Sequence, residues 1–339
     1  MINTPMKKNR KVFHGLVNYG TQAGMLARGL RNRGWDATSY VWDDPFDREI
    51  DNNLKKVLSN IRVIRWFQNI LFFFNVFFKY DIFHFYFGRS ILPRNIDLPF
   101  YKLFGKKTVM EYLGTDVDLW LGLNGVDWRG RPVDRVKLTK RVKRQAKQTN
   151  RQLTCCPPLY VFVDNSIILP LALDLSQYSY SPRVNDTGVL TIMHCPTDRM
   201  AKKSDYIEAA LEKLKSEGYT FKYKCVMNVS HDNLKLEFID SDVVIDQLNR
   251  WYGTVGVEAM ALGRPVICTL HRYLCHFDDR FINPPLINAD IIDIYYVLKD
   301  VLDGKYDLGK IGKESRAFVE QVHSLDVVTD QLIGIYEKL

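Results

Sequence analysis

Residues 246–267, DQLNRWYGTVGVEAMALGRPVI, read as a strand end, a glycine-bearing turn and a helix that carries an acidic residue. Such a turn aims backbone N–H groups, here those around Thr254 and Val255, at an anion. Gly253 and Gly256 let the main chain approach a ligand closely, and Glu258 falls where the first helical turn should begin. A carboxylate there repels a phosphate but accepts two hydroxyl protons from a sugar. The pair of features suits a nucleotide sugar, with its diphosphate on the helix end and its ribose on Glu258. Upstream, the stretch HCPTDRMAKKSDYIEAALEKLKSEG places Arg199, Lys202 and Lys203 between a strand and a helix. A leaving diphosphate needs such cations as the glycosidic bond breaks. The plain alternative is a lysine-rich helix start facing water, which the unfavourable placement of cations against the helix dipole argues against.

The string EAMALGRPVI closely resembles the donor-binding segment of the large bacterial group 1 family of retaining GT-B glycosyltransferases, many of which act in surface polysaccharide biosynthesis. That family usually has a second glutamate eight positions before the helical one, where this chain has Arg250. Either Arg250 takes over a phosphate contact or the acidic task moves to Asp246. The family's Lys-Gly-x-Asp element is matched by Lys202 and Asp205, with Lys203 at the glycine position. In the first half, HFYFGRSILPRNIDLPFYKLFGKKTVMEYLGTDVD resembles the segment in which a strand precedes a Gly-Ser/Thr-Asp turn, here Gly114, Thr115 and Asp116. Family members often carry His or Arg just before this glycine; Leu113 stands there, leaving His84, His14 or Asp116 for the acceptor side.

The resemblance implies an α/β chain of GT-B type, with two doubly wound Rossmann-like domains whose mostly parallel sheets face each other across a cleft. Residues 1–178 form the acceptor-side domain and 179–339 the nucleotide-sugar domain, the last helix crossing back in many family members. It further implies transfer of a hexose-type sugar from a nucleotide-diphosphate sugar to a glycan or lipid-linked acceptor, with retention, the donor phosphate itself taking the acceptor proton. Lys202 and Arg199 stabilise the departing phosphate, Glu258 holds the ribose and Asp116 orients the acceptor. Two other readings share or approach this fold: a sugar-nucleotide epimerase or hydrolase, and a non-catalytic subunit that scaffolds a partner transferase.

Asp116-Val117-Asp118 also matches the metal-binding Asp-x-Asp of GT-A enzymes, since two such carboxylates can hold Mg²⁺ or Mn²⁺ against a diphosphate. A second α/β half after the triplet, the cations at 199 and 202, and Glu258 on the other half oppose that assignment. No metal and no other cofactor is expected. Residues 18–24, NYGTQAG, stand where GT-B proteins keep a turn, so Gly20 and Gly24 would let backbone approach the donor phosphates or the acceptor. The full Gly-x-Gly-x-x-Gly fingerprint is missing, and Asp43 and Asp44 alone support a dehydrogenase poorly.

Stepwise alternation of strand and helix patterns should position these residues. Strands are expected at 11–16, 37–42, 81–87, 107–112, 153–156, 189–193, 222–227, 243–245 and 265–268. Helices are expected at 24–33, within 53–78, at 206–217 and at 327–339. Around residues 167–174 the sequence SIILPLALDLSQYSYSPR turns polar and proline-bearing, which marks a linker.

With 339 residues and 46% hydrophobic content, the chain can bury two cores. No apolar run approaches the ~20 residues of a bilayer span. The start MINTPMKKNRK shows no cleavable signal pattern, so a cytoplasmic location is expected, either free or peripheral on the cytoplasmic membrane face. Six cysteines without metal-ligand spacing read as buried thiols. The net charge of +8 favours an anionic partner. It is concentrated in DRVKLTKRVKRQAKQTNR, residues 134–151, a helix with Val136, Leu138, Val142 and Ala146 as a thin apolar stripe. A solvated helix and an anionic membrane contact both account for it; nucleic acid does not, for want of a recognition module or stacking aromatics. Residues 61–80, IRVIRWFQNILFFFNVFFKY, fit either an interfacial helix or the crossover helix before the strand YDIFHFYF, with the crossover favoured.

Overall fold

The computed structural model describes residues 10–44, 48–56, 61–117, 132–182 and 188–339. Their contacts divide them into two compact units. The first holds the chain up to Val117, Val133–Ala172 and Leu325–Leu339; the second holds Leu173–Ser324.

In the first unit, a wholly parallel sheet runs in the order β3-β2-β1-β4-β5-β6-β7. Its strands are β1 (Lys11–Gly15), β2 (Asp36–Val41), β3 (Asn52–Asn53), β4 (Ile82–Tyr86), β5 (Lys107–Tyr112), β6 (Arg151–Thr154) and β7 (Ile167–Ile168). Every residue of β4 is buried, as expected for a central strand covered on both faces. The helices are α1 (Gln22–Asn32), α2 (Arg62–Lys79), α3 (Leu98–Leu103), α4 (Arg135–Gln148) and the short α5 (Pro157–Tyr160), joined by the last helix of the chain, Leu325–Glu337. Met25, Leu26 and Leu30 of α1 pack with Val328, Leu332 and Tyr336 of that last helix over Val12, Ile82 and Val109 of the sheet.

α2 is the crossover before β4. It sets Phe73, Val76 and Phe77 into the core, while Trp66, Phe67, Leu71, Phe74 and Phe78 remain exposed. Among the described residues no helix is long and apolar enough to cross a membrane. α4 departs from the expected stripe: Val142 is buried but Val136 is 63% exposed, and Gln145 is the fully buried residue of the inner face. Gln145 bridges the Tyr112 hydroxyl (3.0 Å) and the Gly88 carbonyl (2.7 Å), which satisfies a polar group that the apolar pattern cannot reveal. Residues 167–174 are not a free linker. Ile167–Ile168 is the edge strand, Leu169 and Ala172 belong to the core, and Gln22 ties both polar groups of Ala172.

The second unit has the parallel order β12-β11-β10-β8-β9, from β8 (Thr191–His194), β9 (Lys222–Cys225), β10 (Val243–Ile245), β11 (Val266–Cys268) and β12 (Ile287–Asn288). Its helices are α6 (Arg199–Lys202), α7 (Ser204–Ser216), α8 (His231–Ile239), α9 (Thr254–Ala261), α10 (Arg272–Cys275), α11 (Ile294–Leu302) and α12 (Leu308–Val322); the last helix of the chain is α13. α7 buries Ile207, Ala210, Leu211 and Leu214 at helical spacing and stops before Gly218, whose φ of +95° only glycine adopts readily. In each sheet the strand order reverses once, at β1/β4 and at β8/β10. Open parallel sheets take ligands beyond the carboxyl ends of the strands at such reversals.

Candidate functional site

At the reversal in the second unit, Asp246 directly follows β10 and is fully buried. One carboxylate oxygen forms an ion pair with the Lys202 ammonium at the end of α6, and the other accepts the Gly253 N–H at 2.7 Å. Gly253 caps α9 and supplies no side chain to its first turn, so the N–H groups of Thr254 and Val255 have no capping partner from it. Gly256 is glycine for a reason the sequence does not disclose. A Cβ there would lie 3.0 Å from the Asp246 carboxylate and 3.0 Å from Tyr252 Cβ, so the room belongs to Asp246.

Glu258 lies on the same helix and is buried, with Oε1 3.2 Å from His231 Nε2. His231 Nε2 also meets the Tyr178 hydroxyl at 3.0 Å. Burial raises the Tyr178 phenol pKa, and the Glu258 carboxylate raises it further. Cys195, just past β8, feels Lys202, Asp246 and Glu258 together, which puts all three in one electrostatic neighbourhood; burial pushes its thiol up to about 11. Beneath them His194 is buried, bonded to the Ile245 carbonyl (2.8 Å) and Ser204 Oγ (2.9 Å), and burial lowers its pKa to about 4. The neighbourhood thus combines one ammonium, an uncapped helix start and a carboxylate able to take hydroxyl protons.

Arg199 is differently engaged. Its guanidinium grips Glu208 (2.5 Å) and Asp205 (3.2 Å), and those hydrogen bonds, Glu208 first, raise its pKa while lowering that of Glu208. Asp205, the family-like aspartate, is therefore its ion-pair partner. Lys203 adopts φ +62°, the conformation that glycine would favour at this position of the resembling element. Arg250 is half-buried in the turn between β10 and Gly253. His231 and Tyr178 escaped the sequence reading, because nothing in spacing links residues 53 apart to a glutamate in a third segment.

In the first unit, Asp116 follows β5. Its Oδ1 accepts the N–H groups of Gly114 (2.8 Å) and Leu113 (3.2 Å), so the Gly-Thr-Asp turn closes on its own aspartate. Oδ2 is buried without a partner among the described residues, and burial raises the carboxyl to about 7 against the pull of those N–H groups and Arg141. Asp118 lies outside the described residues, so the Asp-x-Asp triplet has no described geometry. Among the described residues no cluster of His, Cys, Asp and Glu could hold a metal ion.

Gly20 takes φ +52° in the turn after β1. Gly24 is no loop residue but part of α1, where a Cβ would fall 2.0 Å from the Glu49 carbonyl; it serves packing, not ligand approach. His14 and His84 are likewise excluded from surface chemistry. Both are fully buried, His14 Nδ1 meeting Tyr86 Oη (2.6 Å), His84 Nδ1 meeting Tyr336 Oη (2.6 Å) and His84 Nε2 meeting Glu111 Oε2 (2.9 Å). Of the cysteines, Cys225 is exposed and the other five are buried.

No protein-family model matches this chain, and no curated protein sequence matches it either. Solved structures do. The chain is similar to HepE from Anabaena in complex with UDP-glucose, at TM-score 0.63 and 10% identity over 97% of this chain and 99% of that one. It is similar to the catalytic domain of starch synthase IV from Arabidopsis thaliana bound to ADP and acarbose, at TM-score 0.60 and 11% identity over 98% and 99%. A protein from Listeria monocytogenes described as a UDP-N-acetylglucosamine 2-epimerase aligns at TM-score 0.57 and 11% identity over 98% of each chain. At such identities the likeness is one of fold, and together with the two parallel sheets it shows that this chain has the GT-B fold.

Proposed function

We propose that this protein is a glycosyltransferase that moves a hexose-type sugar from a nucleotide-diphosphate sugar to a glycan or lipid-linked acceptor, with retention and without a metal ion. The observation that carries the reading is the meeting of Lys202, Asp246, the start of α9 and Glu258 at the strand-order reversal of the second sheet. Asp246 holds the Lys202 ammonium at the diphosphate, with the N–H groups of Thr254 and Val255 on the same phosphate oxygens. Glu258, braced by His231, accepts the ribose hydroxyls. The acceptor oxygen forms its bond to the anomeric carbon as the bond to the phosphate oxygen breaks. The electron pair leaves with the diphosphate, which takes the acceptor proton, and Lys202 and the helix start stabilise that charge. Asp116 orients the acceptor, and Arg199 steadies α7 beside Lys202. The fold-level likeness to enzymes bound to UDP-glucose or ADP supports the donor class.

The test is product analysis by NMR with a panel of nucleotide sugars and candidate acceptors. Transfer in excess EDTA, with the donor's anomeric configuration kept, is the expected result; activity that appears only on adding divalent metal, or an inverted product, contradicts it. The likeness to a protein described as an epimerase favours one second reading, and complete conversion of donor without acceptor is its signature.

A further inference from the structure

Three segments of the second unit meet on Glu258. The glutamate projects from α9, His231 is the first residue of α8, and Tyr178 follows the short turn Leu175–Gln177. Each is held in place by contacts of its own. Arg316 of α12 donates through Nη1 to the Tyr178 carbonyl at 2.6 Å and to the Ala261 carbonyl, at the end of α9, at 2.8 Å. One guanidinium therefore fixes the tyrosine relative to the glutamate's helix. Asp174 caps the turn before Tyr178 by accepting the Ser176 N–H at 3.0 Å, and the buried Tyr178 ring has the Lys235 ammonium 5.0 Å from its centroid. At the start of α8, Ser230 Oγ accepts the Asn233 N–H at 3.3 Å and sets the turn that carries His231.

The placement of hydrogens follows from the acceptor. Nε2 of His231 lies 3.2 Å from Glu258 Oε1 and 3.0 Å from the Tyr178 hydroxyl. A bare nitrogen would set its lone pair against the carboxylate, so Nε2 carries the proton and donates it. The tyrosine oxygen can then offer that N–H only a lone pair, which leaves the phenolic O–H for its bond to Glu258. Two donors thus fall on one carboxylate. Of its roughly four lone-pair sites about two are taken, and the rest call for two further O–H groups. The Glu258 side chain is 12% exposed, so its open edge is narrow and the two donors set its direction.

We propose that His231 and Tyr178 are positioning residues that aim Glu258 at a pair of neighbouring hydroxyls, so that the donor site takes a ribonucleoside diphosphate and rejects its 2′-deoxy counterpart. The inference rests on the reading of Glu258 as the ribose ligand and adds what aims it. A deoxyribose leaves part of a nearly buried carboxylate without its O–H, and a site built to bond a hydroxyl rejects the analogue that lacks it. Without the aiming groups the carboxylate can turn, and the rejection fades.

Calorimetric titration of UDP, ADP and GDP and of their 2′-deoxy forms into the full chain tests this. The parent should bind its preferred ribonucleotide at least about tenfold tighter than the deoxy form, the worth of one bond to a charged group. His231→Leu/Tyr178→Phe should bring that ratio below about threefold by weakening the ribonucleotide alone, leaving the deoxynucleotide within about twofold of its parent affinity. Each single change should go part of the way, and Tyr178→Phe, which removes one oxygen, guards against loss of the fold. His231→Gln, whose amide can donate from a similar position, should keep most of the ratio. A merely structural role weakens both nucleotides together; that result, or a ratio unchanged in the double variant, overturns the positioning role and leaves the transferase reading standing. A parent that binds no nucleotide, or binds both forms equally, overturns the donor reading and this proposal with it.

Discussion

The Lys202 ammonium and the Asp246 carboxylate form a buried ion pair that reaches from α6 to the end of β10. Because Asp246 also takes the Gly253 N–H, one carboxylate sets both the cation and the start of α9. Removing one partner of such a pair leaves a buried charge, at a cost of about 3–5 kcal/mol, whereas changing both loses less. Asp246→Ala should therefore lower the melting temperature more than the double change Asp246→Asn/Lys202→Met, as thermal unfolding of both variants will show. Equal destabilisation would mean that the pair does not anchor this neighbourhood.

Glu258 contributes to ligand affinity more than to stability in this account. Glu258→Gln keeps the shape and the contact with His231 but exchanges an acceptor of two hydroxyl protons for a weaker one. The charge-assisted bonds lost correspond to about 2 kcal/mol, roughly thirtyfold in affinity for a nucleoside diphosphate. The same variant should bind inorganic pyrophosphate as the parent does, since no ribose is involved.

The buried network around His84 makes stability depend on pH in a way that separates its members. Burial raises the Glu111 carboxyl from 4.5 to about 8, so the folded state keeps a proton that the unfolded state loses, and stability falls as pH climbs through that window. Burial lowers His84 from 6.5 to about 3, and that of His14 well below its ordinary value. These rings stay neutral while the unfolded chain takes up protons, so stability also falls as pH drops below 6.5. The opposing effects meet between 4.5 and 6.5, and above 6.5 mainly the loss from Glu111 remains. Between pH 6.5 and 8 the first unit should lose about 2 kcal/mol. Glu111→Gln should flatten that alkaline decline in melting temperature and leave the acid one in place.

Asp116 offers a second pH signature. With its carboxyl raised to about 7 by burial, the fraction ionised changes across the neutral range. If the ionised form orients the acceptor, kcat/KM should rise with pH through 7, and Asp116→Asn should abolish that rise and lower kcat/KM by at least tenfold. An unchanged profile in the variant would remove Asp116 from the acceptor side.

Much of the architecture was legible because apolar runs dictate it. The stretches around Val12, Phe83, Val109 and Val243 are buried on both faces and could be little other than parallel strands, and α7 announces itself by Ile207, Ala210, Leu211 and Leu214 before Gly218. The two-residue strands β3, β7 and β12 carry no periodicity and were invisible. The donor neighbourhood was half legible. Gly253, Glu258 and Lys202 could be named from local pattern, but the bond from Asp246 to Gly253 and the contacts of His231 with Tyr178 and Glu258 join segments that only folding brings together. Gly24 misled and Gln145 went unremarked for a common reason. Each looks like a surface or loop feature, and each is fixed by one tertiary contact, with the Gly88 carbonyl and the Glu49 carbonyl respectively.

Calorimetric titration of UDP, ADP and GDP into the parent chain, Lys202→Met and Glu258→Gln tests the central claim most directly. The account predicts that at least one nucleoside diphosphate binds the parent and that both variants weaken it tenfold or more. Absence of binding by all three, or binding indifferent to both substitutions, would contradict it.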